Sequence, residues 1–492
     1  MLDKSGTAKT SAAQHAAPRL DLQQHLADLE AAGLLTRIDR PINKDTELGP
    51  LVRWQFIGGV PEEQRRAFLF TNVVDSSGKK YDMPVVVGAL SANPEIYGIG
   101  MGKPVEQIGQ AWIDAVNHPI KPVRITAPAP CQEVVIKGDD LKKADGGLKL
   151  LPVPISTPGF DAAPYFTATL CVTKDPESGV QNMGTYRAGL KATDRLGVRM
   201  ASRIGGAGGY QHWLKHRKLK TPLPIAIVNG CAPVVAFTGP QKLAIDMDEM
   251  GVAGALAGEP IRTVKCVTVD LEVPADAELV IEGLIDPELL EPEGPFGDWT
   301  GTYTESGRKR PLCEITAIYY RNDPILLGFV PQSLPDEYSR YRAITRSALL
   351  KQNIEAAGVP DVKAVWAHEC GGSRLLYGVA INQRFDGHAV QAGHIACQCH
   401  VGAYGSRWVI VVDDDIDVSN LEELMWAALT RADPVKDIDF IRGAWNSPAD
   451  PRIEPAERAK GNLFDLENFV ERELNVADGK DATAPPAAGG NL

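Results

Sequence analysis

The stretch Glu291-Pro292-Glu293-Gly294-Pro295-Phe296-Gly297-Asp298-Trp299-Thr300-Gly301 brings three acids together with two prolines and three glycines. Prolines and glycines interrupt regular secondary structure, so we predict a rigid, irregular loop here. The loop would join two strand-like runs, 279–285 and 313–320. Loops on a rigid scaffold often carry catalytic groups, and burial can raise the pKa of a carboxylate on such a loop. A polar turn whose acids face water is the alternative interpretation.

Two further motifs lie earlier in the chain, Asn182-Met183-Gly184-Thr185-Tyr186-Arg187 and Asp248-Glu249-Met250-Gly251-Val252-Ala253-Gly254. Together with the stretch at 291–301, they resemble the signature of the UbiD family of prenylated-FMN-dependent decarboxylases. The motifs follow the order of the family and are similarly spaced. The resemblance covers the chain from about residue 21 to about residue 451.

The length of 492 residues indicates two or three domains, and the resemblance implies a UbiD-like α+β fold. It implies a small N-terminal α/β domain at 20–125 and a central split β-barrel that binds prenylated FMN at 126–330. A C-terminal α/β oligomerisation domain would follow at 331–474. The tails at 1–19 and 475–492 are poor in apolar residues, so we expect them to be disordered.

Local sequence patterns predict several elements within these domains. Residues 21–32 have the spacing of an amphipathic helix, residues 336–357 read as a long helix, and the Pro-rich segment 119–130 reads as a linker. Helical inserts are expected at 199–203 and 211–218. Ser419 and Glu422 have the spacing of a capping box before a helix at 421–431. Further strands are expected at 165–173, 224–228, 263–271, 362–366, 375–381 and 408–412.

Composition excludes several classes of protein. The net charge of −12 argues against nucleic-acid binding, which needs a basic surface. Apolar runs are too short to span a bilayer, and the first 19 residues lack the apolar core of a secretory signal. Eight scattered cysteines show no disulfide framework, which fits a reducing compartment. We therefore expect a cytoplasmic enzyme.

The resemblance also implies the catalytic residues. Arg187 matches the active-site arginine of the family, and a guanidinium can hold a carboxylate through two hydrogen bonds. Glu293 matches the glutamate that pairs with that arginine. Asp298 matches the second acid, which resembles the proton donor of the family, although some members have Glu there. Whether Asp298 or Glu293 delivers the proton stays open.

The activity that this resemblance implies is reversible, non-oxidative decarboxylation of an aromatic or α,β-unsaturated acid. Loss of CO2 from such an acid leaves a carbanion on an sp2 carbon, and no side chain can accept those electrons. In the family a covalent adduct with prenylated FMN does so, and a flavin prenyltransferase supplies that cofactor. A hydroxybenzoate-type, heteroaromatic or aryl-CoA substrate is equally compatible with the motifs.

At the phosphate of the cofactor, the sequence departs from the family pattern. Typical members bind this phosphate through a divalent metal held by Asn, His and Glu. Asn182 and Glu249 match two of these ligands, but Arg203 stands at the histidine position and Val390 where many members have a phosphate-binding lysine. An arginine has no acceptor atom for a metal but can neutralise a phosphate directly.

We therefore hypothesise that Arg203 takes over part or all of the role of the metal. The alternative keeps manganese or magnesium, with His212 or His216 as a ligand, and a potassium site stays open. Gly239 would allow the backbone to approach the flavin closely. The complete set of expected cofactor contacts is Asn182, Thr185, Arg187, Ser202, Arg203, Gly239, Glu249 and Gln332.

Two other functions remain alternatives on sequence grounds. A plain-FMN oxidoreductase could use the same barrel, although the glycine-rich run 205–209 lacks the context of a dinucleotide site. A non-catalytic scaffold subunit of a decarboxylase complex is the second alternative, but such a subunit has no need of Arg187, Glu293 and Asp298 together. The family forms dimers and hexamers, so we expect a homodimer or a homohexamer.

Overall fold

The structure of the protein is a computed structural model. It describes residues 19–126, 128–200, 208–241, 243, 247–301, 308–331, 334–403, 405–442 and 444. Side chains are described over the same ranges, apart from that of residue 308. The predictions for Ser202, Arg203 and Gln332 lie outside the described residues.

The N-terminal part combines short strands with amphipathic helices. Helix α1 buries Leu22, Leu26 and Leu29, as its sequence spacing predicts, and Asp21 caps its N-terminus. The helices are α1 (Leu22–Ala31), α2 (Leu48–Ile57), α3 (Pro94–Met101) and α4 (Val105–Asn117). The strands are β1 (Leu35–Ile38), β2 (Ile42–Asn43), β3 (Ala67–Phe70), β4 (Val73–Val74), β5 (Lys80–Tyr81), β6 (Val85–Val87) and β7 (Val123–Arg124).

The central part contains most of the strands. They are β8 (Val134–Lys137), β9 (Tyr165–Phe166), β10 (Thr169–Lys174), β11 (Gln181–Gly184), β12 (Ala188–Ala192), β13 (Arg195–Val198), β14 (Leu223–Asn229), β15 (Arg262–Lys265), β16 (Glu272–Pro274), β17 (Leu279–Glu293), β18 (Arg308–Tyr320) and β19 (Leu326–Gly328). The helices are α5 (Asp139–Lys142), α6 (Gly208–Leu219), α7 (Pro233–Ala236) and α8 (Glu249–Ala257).

A nine-stranded sheet forms the scaffold of the central part, counted over the described residues. Its strands follow the order β11-β10-β14-β17-β18-β13-β12-β9, and β8 pairs with β18 off this path. The ladders do not close into a ring within the part of the chain that the structure describes. The fold is therefore the predicted mixed α+β type, whereas the split barrel and the domain limits stay predictions.

The longest ladder corrects the predicted extent of the irregular loop. Strand β17 runs on to Glu293 and pairs with β18 at both of its ends, with Leu279 opposite Tyr320 and Glu293 opposite Arg308. A bulge between Ile285 and Leu290 interrupts the pairing, after which it resumes. The prediction that residues 291–293 are irregular is wrong, because the resumed ladder accommodates Pro292.

Two other local predictions are wrong. The segment at 119–130 is not a bare linker, because β7 lies within it and pairs with β15. Residues 199 and 200 are not helical, and the rest of the insert predicted at 199–203 lies outside the described residues. The insert predicted at 211–218 is confirmed by α6.

The C-terminal part packs around a separate apolar core. Its helices are α9 (Glu337–Ala356), α10 (His388–Gln398) and α11 (Leu421–Arg431), and its strands are β20 (Val362–Ala367), β21 (Leu376–Ile381) and β22 (Trp408–Asp413). The three strands form one sheet in the order β20-β21-β22. The long helix α9 was predicted, and Asp336 forms a capping box at its start.

The start of α11 differs from the prediction. Asn420, not Ser419, is the N-cap, and its side chain accepts hydrogen bonds from the N–H groups of Glu422 and Glu423. The Ser419 hydroxyl is used elsewhere, because it donates to Asp417. The predicted Ser419–Glu422 capping box is therefore wrong. Among the described helices, none is long and apolar enough to cross a membrane.

Candidate active site

The segment after β17 is held in place by a neighbouring loop. Gly294 has a φ of +87°, a conformation that favours glycine. The Gly297 N–H donates to Asp161 Oδ1 at 2.8 Å, and the Ala162 N–H donates to the Pro295 carbonyl at 2.9 Å. The Asp161 carboxylate also accepts from the Thr157 N–H at 2.8 Å. These contacts set the direction in which the segment leaves the sheet.

Arg187 and Glu293 form a buried ion pair. Arg187 lies between β11 and β12, and Glu293 is the last residue of β17. Arg187 Nε donates to Glu293 Oε1 at 2.8 Å, and Arg187 Nη2 donates to Oε2 at 3.2 Å. The side chains are only 10% and 3% exposed, respectively. The structure thus brings together two of the three residues that the sequence identified as catalytic.

A second arginine contacts the same carboxylate. Arg310 on β18 donates from Nε to Glu293 Oε2 at 3.1 Å, and its side chain is 11% exposed. Burial alone would raise the pKa of Glu293, but Arg187, Arg310 and Arg199 outweigh that effect and lower the pKa to about 2. Glu293 is therefore ionised at neutral pH and holds no proton to deliver.

Asp298 lies on the same segment and is half-buried. Its Oδ1 accepts a hydrogen bond from the Trp299 N–H at 2.7 Å. Arg199 lies within electrostatic range of both Asp298 and Glu293. Burial, with Arg187 and Arg310 nearby, lowers the pKa of Arg199 to about 10, so this side chain keeps its charge at neutral pH. Asp298 thus belongs to the same cluster of charges as the Arg187–Glu293 pair.

Aromatic rings support the guanidinium of Arg187. Its central carbon lies 4.3 Å from the centre of the Phe296 ring, within the range of a cation–π contact. The ring of Tyr165 packs against Phe296, with 4.6 Å between their centres. Phe296 is buried, so this contact helps to fix the plane of the guanidinium.

Trp299 connects the segment to the C-terminal part of the chain through side-chain contacts. The Arg374 guanidinium lies 5.6 Å from the centre of the Trp299 ring. Gly372, which has a φ of +62°, also lies against this ring, and a Cβ at Gly372 would come within 2.6 Å of Trp299. A side chain at residue 372 would therefore displace the residue next to Asp298.

The two predicted metal ligands that lie within the described residues are adjacent. Asn182 is on β11 and Glu249 is the first residue of α8. Glu249 Oε2 accepts from the Met183 N–H at 2.9 Å, and the Asn182 amide nitrogen, in the orientation that satisfies its neighbours, donates to Glu249 Oε1 at 3.2 Å. Glu249 is 8% exposed, and burial raises its pKa to about 8. A cation at this position would relieve the cost of ionising Glu249.

These residues fit a divalent metal ion, or another cation that also contacts a phosphate. Carboxylate and amide oxygens are the ligands that magnesium and manganese prefer. Gly208, the first described residue of α6, packs so closely on Asn182 that any side chain there would collide with the amide. Helix N-termini favour anions such as phosphate. Among the described residues, this position included, no group of three or more His, Cys, Asp or Glu side chains could hold a metal ion.

The two histidines considered as alternative metal ligands are engaged elsewhere. His212 Nδ1 lies 2.9 Å from the Thr173 hydroxyl and its Nε2 lies 3.9 Å from Asp175. Burial lowers the pKa of His212 to about 4. His216 Nδ1 lies 3.0 Å from the Thr221 hydroxyl. In this structure neither histidine contacts the Asn182–Glu249 pair.

Three other sequence predictions can be located in the structure. Gly239 is buried, and a Cβ there would come within 2.5 Å of Leu170 and 3.2 Å of the Thr185 hydroxyl. The glycine is thus required by packing against these two residues, and Thr185 adjoins it as expected for one site. Val390 lies on α10 and is 51% exposed.

Arg310, Arg199 and Asp161 were missed by the sequence reasoning. The basic run at 308–310 follows the acid-rich stretch closely, and a hairpin between them would have predicted the contact of Arg310 with Glu293. Arg199 was assigned to a helix. Asp161 lies 136 residues before Gly297 along the chain, and no local pattern predicts that contact.

Three family models match the chain in succession. The N-terminal, Rift-related and C-terminal domains of 3-octaprenyl-4-hydroxybenzoate carboxy-lyase match residues 26–116, 123–334 and 341–465, respectively. These matches cover most of the chain.

Solved structures of similar proteins agree with these matches. The UbiD-class enzyme HmfF from Pelotomaculum thermopropionicum, solved with FMN, is 31% identical with a TM-score of 0.78, over 88% of this chain and 91% of that one. An evolved dimeric form of HmfF was solved with prFMN. Vanillic acid decarboxylase from Sedimentibacter hydroxybenzoicus is 28% identical with a TM-score of 0.78, over 89% and 90% of the two chains. A 3,4-dihydroxybenzoic acid decarboxylase from Enterobacter cloacae is 27% identical with a TM-score of 0.76, over 89% and 91%.

The contact between Trp299 and Gly372 can be tested with a matched pair of substitutions. Both Gly372 and Gly358 have positive φ values, but nothing lies within 4 Å of a Cβ at Gly358. Each change to Ala should cost about 1 kcal/mol in unfolding free energy through backbone strain. Only Gly372→Ala should also displace Trp299 and reduce kcat/KM by about 10- to 100-fold.

Thermal unfolding and steady-state CO2 release from the same preparations would check this prediction. Equal activity of the Gly372→Ala and Gly358→Ala variants would show that the position of Trp299 does not affect the site.

Proposed function

The chain belongs to the UbiD family of carboxy-lyases, and on this premise we propose that it catalyses the reversible, non-oxidative decarboxylation of an aromatic or α,β-unsaturated acid with prenylated FMN. Hydroxybenzoate-type, heteroaromatic and aryl-CoA acids are the substrate classes to test. The observation that carries the proposal is the buried ion pair between Arg187 and Glu293. Glu293 lies on the same short segment as Asp298.

A cofactor is needed because the carbon that loses CO2 keeps an electron pair that no side chain can accept. Prenylated FMN, when bound, would supply that acceptor through a covalent bond to the substrate. The residues proposed to contact it among those described are Asn182, Thr185, Arg187, Gly239 and Glu249. Ser202, Arg203 and Gln332 complete the proposed set.

Arg187 would orient the substrate carboxylate. A planar guanidinium can hold one carboxylate edge-on while its remaining N–H groups face another. Its Nε and Nη2 atoms already contact Glu293, and the Phe296 ring limits its rotation. Glu293 would therefore act as an ionised anchor that aims Arg187 at the substrate.

Asp298 would return the proton to the carbon. The sequence left open whether this acid or Glu293 is the donor. Two arginines hold Glu293, and its pKa of about 2 means that it holds no proton near neutral pH. Asp298 is the other matched acid, lies on the same segment and is half-buried. We therefore assign proton delivery to Asp298.

Self-association through the C-terminal part would complete the assembly. Trp408, Trp426, Leu429 and Phe440 are 64%, 53%, 77% and 78% exposed, respectively. Exposed apolar side chains of this size commonly mark a protein–protein interface. We propose a homodimer or a homohexamer built through the C-terminal part, with a flavin prenyltransferase supplying the cofactor.

The catalytic assignment predicts the behaviour of two conservative variants. Asp298→Asn removes the proposed proton donor, and Glu293→Gln removes the negative charge that anchors Arg187. Each should lower the rate of CO2 release by at least about 100-fold while flavin binding is retained. The rate would be measured as CO2 release or solvent-deuterium exchange, and flavin content by absorbance.

Asp286→Asn is a suitable control, because Asp286 is an exposed acid on β17 and its Oδ1 accepts hydrogen bonds from the N–H groups of Glu288 and Leu289, which an amide oxygen can also accept. This variant should decarboxylate at the wild-type rate. Wild-type turnover by Asp298→Asn and Glu293→Gln would contradict the roles assigned to both residues.

The phosphate site makes a separate prediction. If Arg203 carries the charge of the missing metal, holo-protein should contain less than about 0.2 divalent ions per chain by elemental analysis, and chelation should not release flavin. Arg203→Gln should then lose flavin. One tightly bound manganese or magnesium per chain would instead support a metal held by Asn182 and Glu249.

A further inference from the structure

Glu293 is shared between two arginines, and the second has no role in the proposed chemistry so far. We propose that Arg310 is a positioning residue that holds Glu293 in place when Arg187 engages the substrate carboxylate. The inference rests on the proposed function, since it concerns the moment at which the acid enters the site.

Arg187 donates two hydrogen bonds to the Glu293 carboxylate, and Arg310 donates one. Glu293 Oε1 accepts only from Arg187 among the side chains described, whereas Oε2 accepts from Arg187 Nη2 at 3.2 Å and from Arg310 Nε at 3.1 Å. The shortest contact, at 2.8 Å, belongs to Arg187 Nε. Loss of the Nη2 contact would thus leave Glu293 held by one N–H group from each arginine.

The register of the hairpin places Arg310 where it can do this. In the ladder, Glu293 is opposite Arg308 and Glu291 is opposite Arg310. Arg310 is therefore the diagonal neighbour of Glu293 on one face of the two strands, within reach of a long side chain. Because Arg310 is anchored on the central sheet, it does not depend on the connection that carries Arg187.

Electrostatics explains why two cations are needed. A carboxylate that is 3% exposed is costly to leave with one incompletely bonded partner, because little water reaches it. Under the proposed function, the substrate carboxylate and Glu293 share the N–H groups of Arg187, so binding of the acid weakens the hold of Arg187 on Glu293. Without Arg310, Glu293 would either retain Arg187 and weaken substrate binding or take up a proton and release the guanidinium.

Arg310 also helps to give Glu293 and Asp298 different roles. With Arg310 present, Glu293 stays ionised through substrate binding, and Asp298 keeps its proposed role as proton donor. Without Arg310, the pKa of Glu293 should rise, because one of the three guanidinium groups that lower it, those of Arg187, Arg310 and Arg199, is gone.

The test compares Arg310→Gln, Arg310→Lys and the control Arg195→Gln in holo-protein. Arg195 is on the neighbouring strand β13, is 45% exposed and lies 3.7 Å from Glu291, so the control removes one positive charge from the outer side of the same hairpin. The measurements are KM and kcat for the aromatic acid that the wild type turns over fastest, from the lowest pH at which the holo-protein stays folded up to about pH 8, because the pKa of Glu293 starts from about 2.

We expect Arg310→Gln to raise KM and to lower kcat/KM by about tenfold or more, with the acidic limb of the pH profile moved to higher pH. Arg310→Lys should recover part of the loss, because it restores the charge through a single contact point. Arg195→Gln should match the wild type. A variant at 310 that loses only thermal stability, with KM and the pH profile unchanged, would overturn the proposal.

A second readout does not need turnover. Isotope-edited infrared spectra of protein with 13C-labelled glutamate, with Glu293→Gln as the reference for assignment, report the ionisation of Glu293 directly. Its titration should move to higher pH in Arg310→Gln, and an unchanged titration would contradict the role of Arg310. A wild type that releases CO2 from none of the acids would count against the proposed function, while this titration still tests Arg310.

Discussion

A buried carboxylate stays ionised only if hydrogen-bond donors or positive charges compensate for the lost water, and much of this site follows from how Glu293 obtains them. Arg187 reaches it from the connection between β11 and β12, and Arg310 reaches it from β18. The ion pair therefore links strands that are far apart in sequence and fixes the end of β17. Because desolvation makes a broken pair of this kind costly, the site is pre-organised before any ligand enters.

The segment after Glu293 extends this rigidity in two directions. Asp161 and its loop hold Gly297 and Pro295 from one side, while Trp299 rests on Gly372 and Arg374 of the C-terminal part from the other. Asp298 lies between these two attachments. Its position therefore depends on both the central sheet and the C-terminal part, so a change in their contact would move Asp298.

The sequence predicted the Arg187–Glu293 contact better than its surroundings. The motifs predicted the pairing of Arg187 with Glu293. Periodicity and stop signals predicted the helices α1, α6 and α9. The continuation of β17 to Glu293 was missed because Pro292 normally disfavours a strand interior, yet here the ladder resumes after a bulge. The Asp161 anchor and the role of Arg199 were missed because both depend on contacts between distant segments, which local patterns do not encode.

The proposed decarboxylation requires that a cofactor able to accept electrons from an sp2 carbon binds beside Arg187, Glu293 and Asp298. The most direct test is the mass and absorbance spectrum of the flavin released from protein co-produced with a flavin prenyltransferase. A mass equal to that of prenylated FMN, with a spectrum unlike that of oxidised FMN, is the predicted result. Release of unmodified FMN alone, from protein that stays inactive toward aromatic acids after maturation, would contradict it.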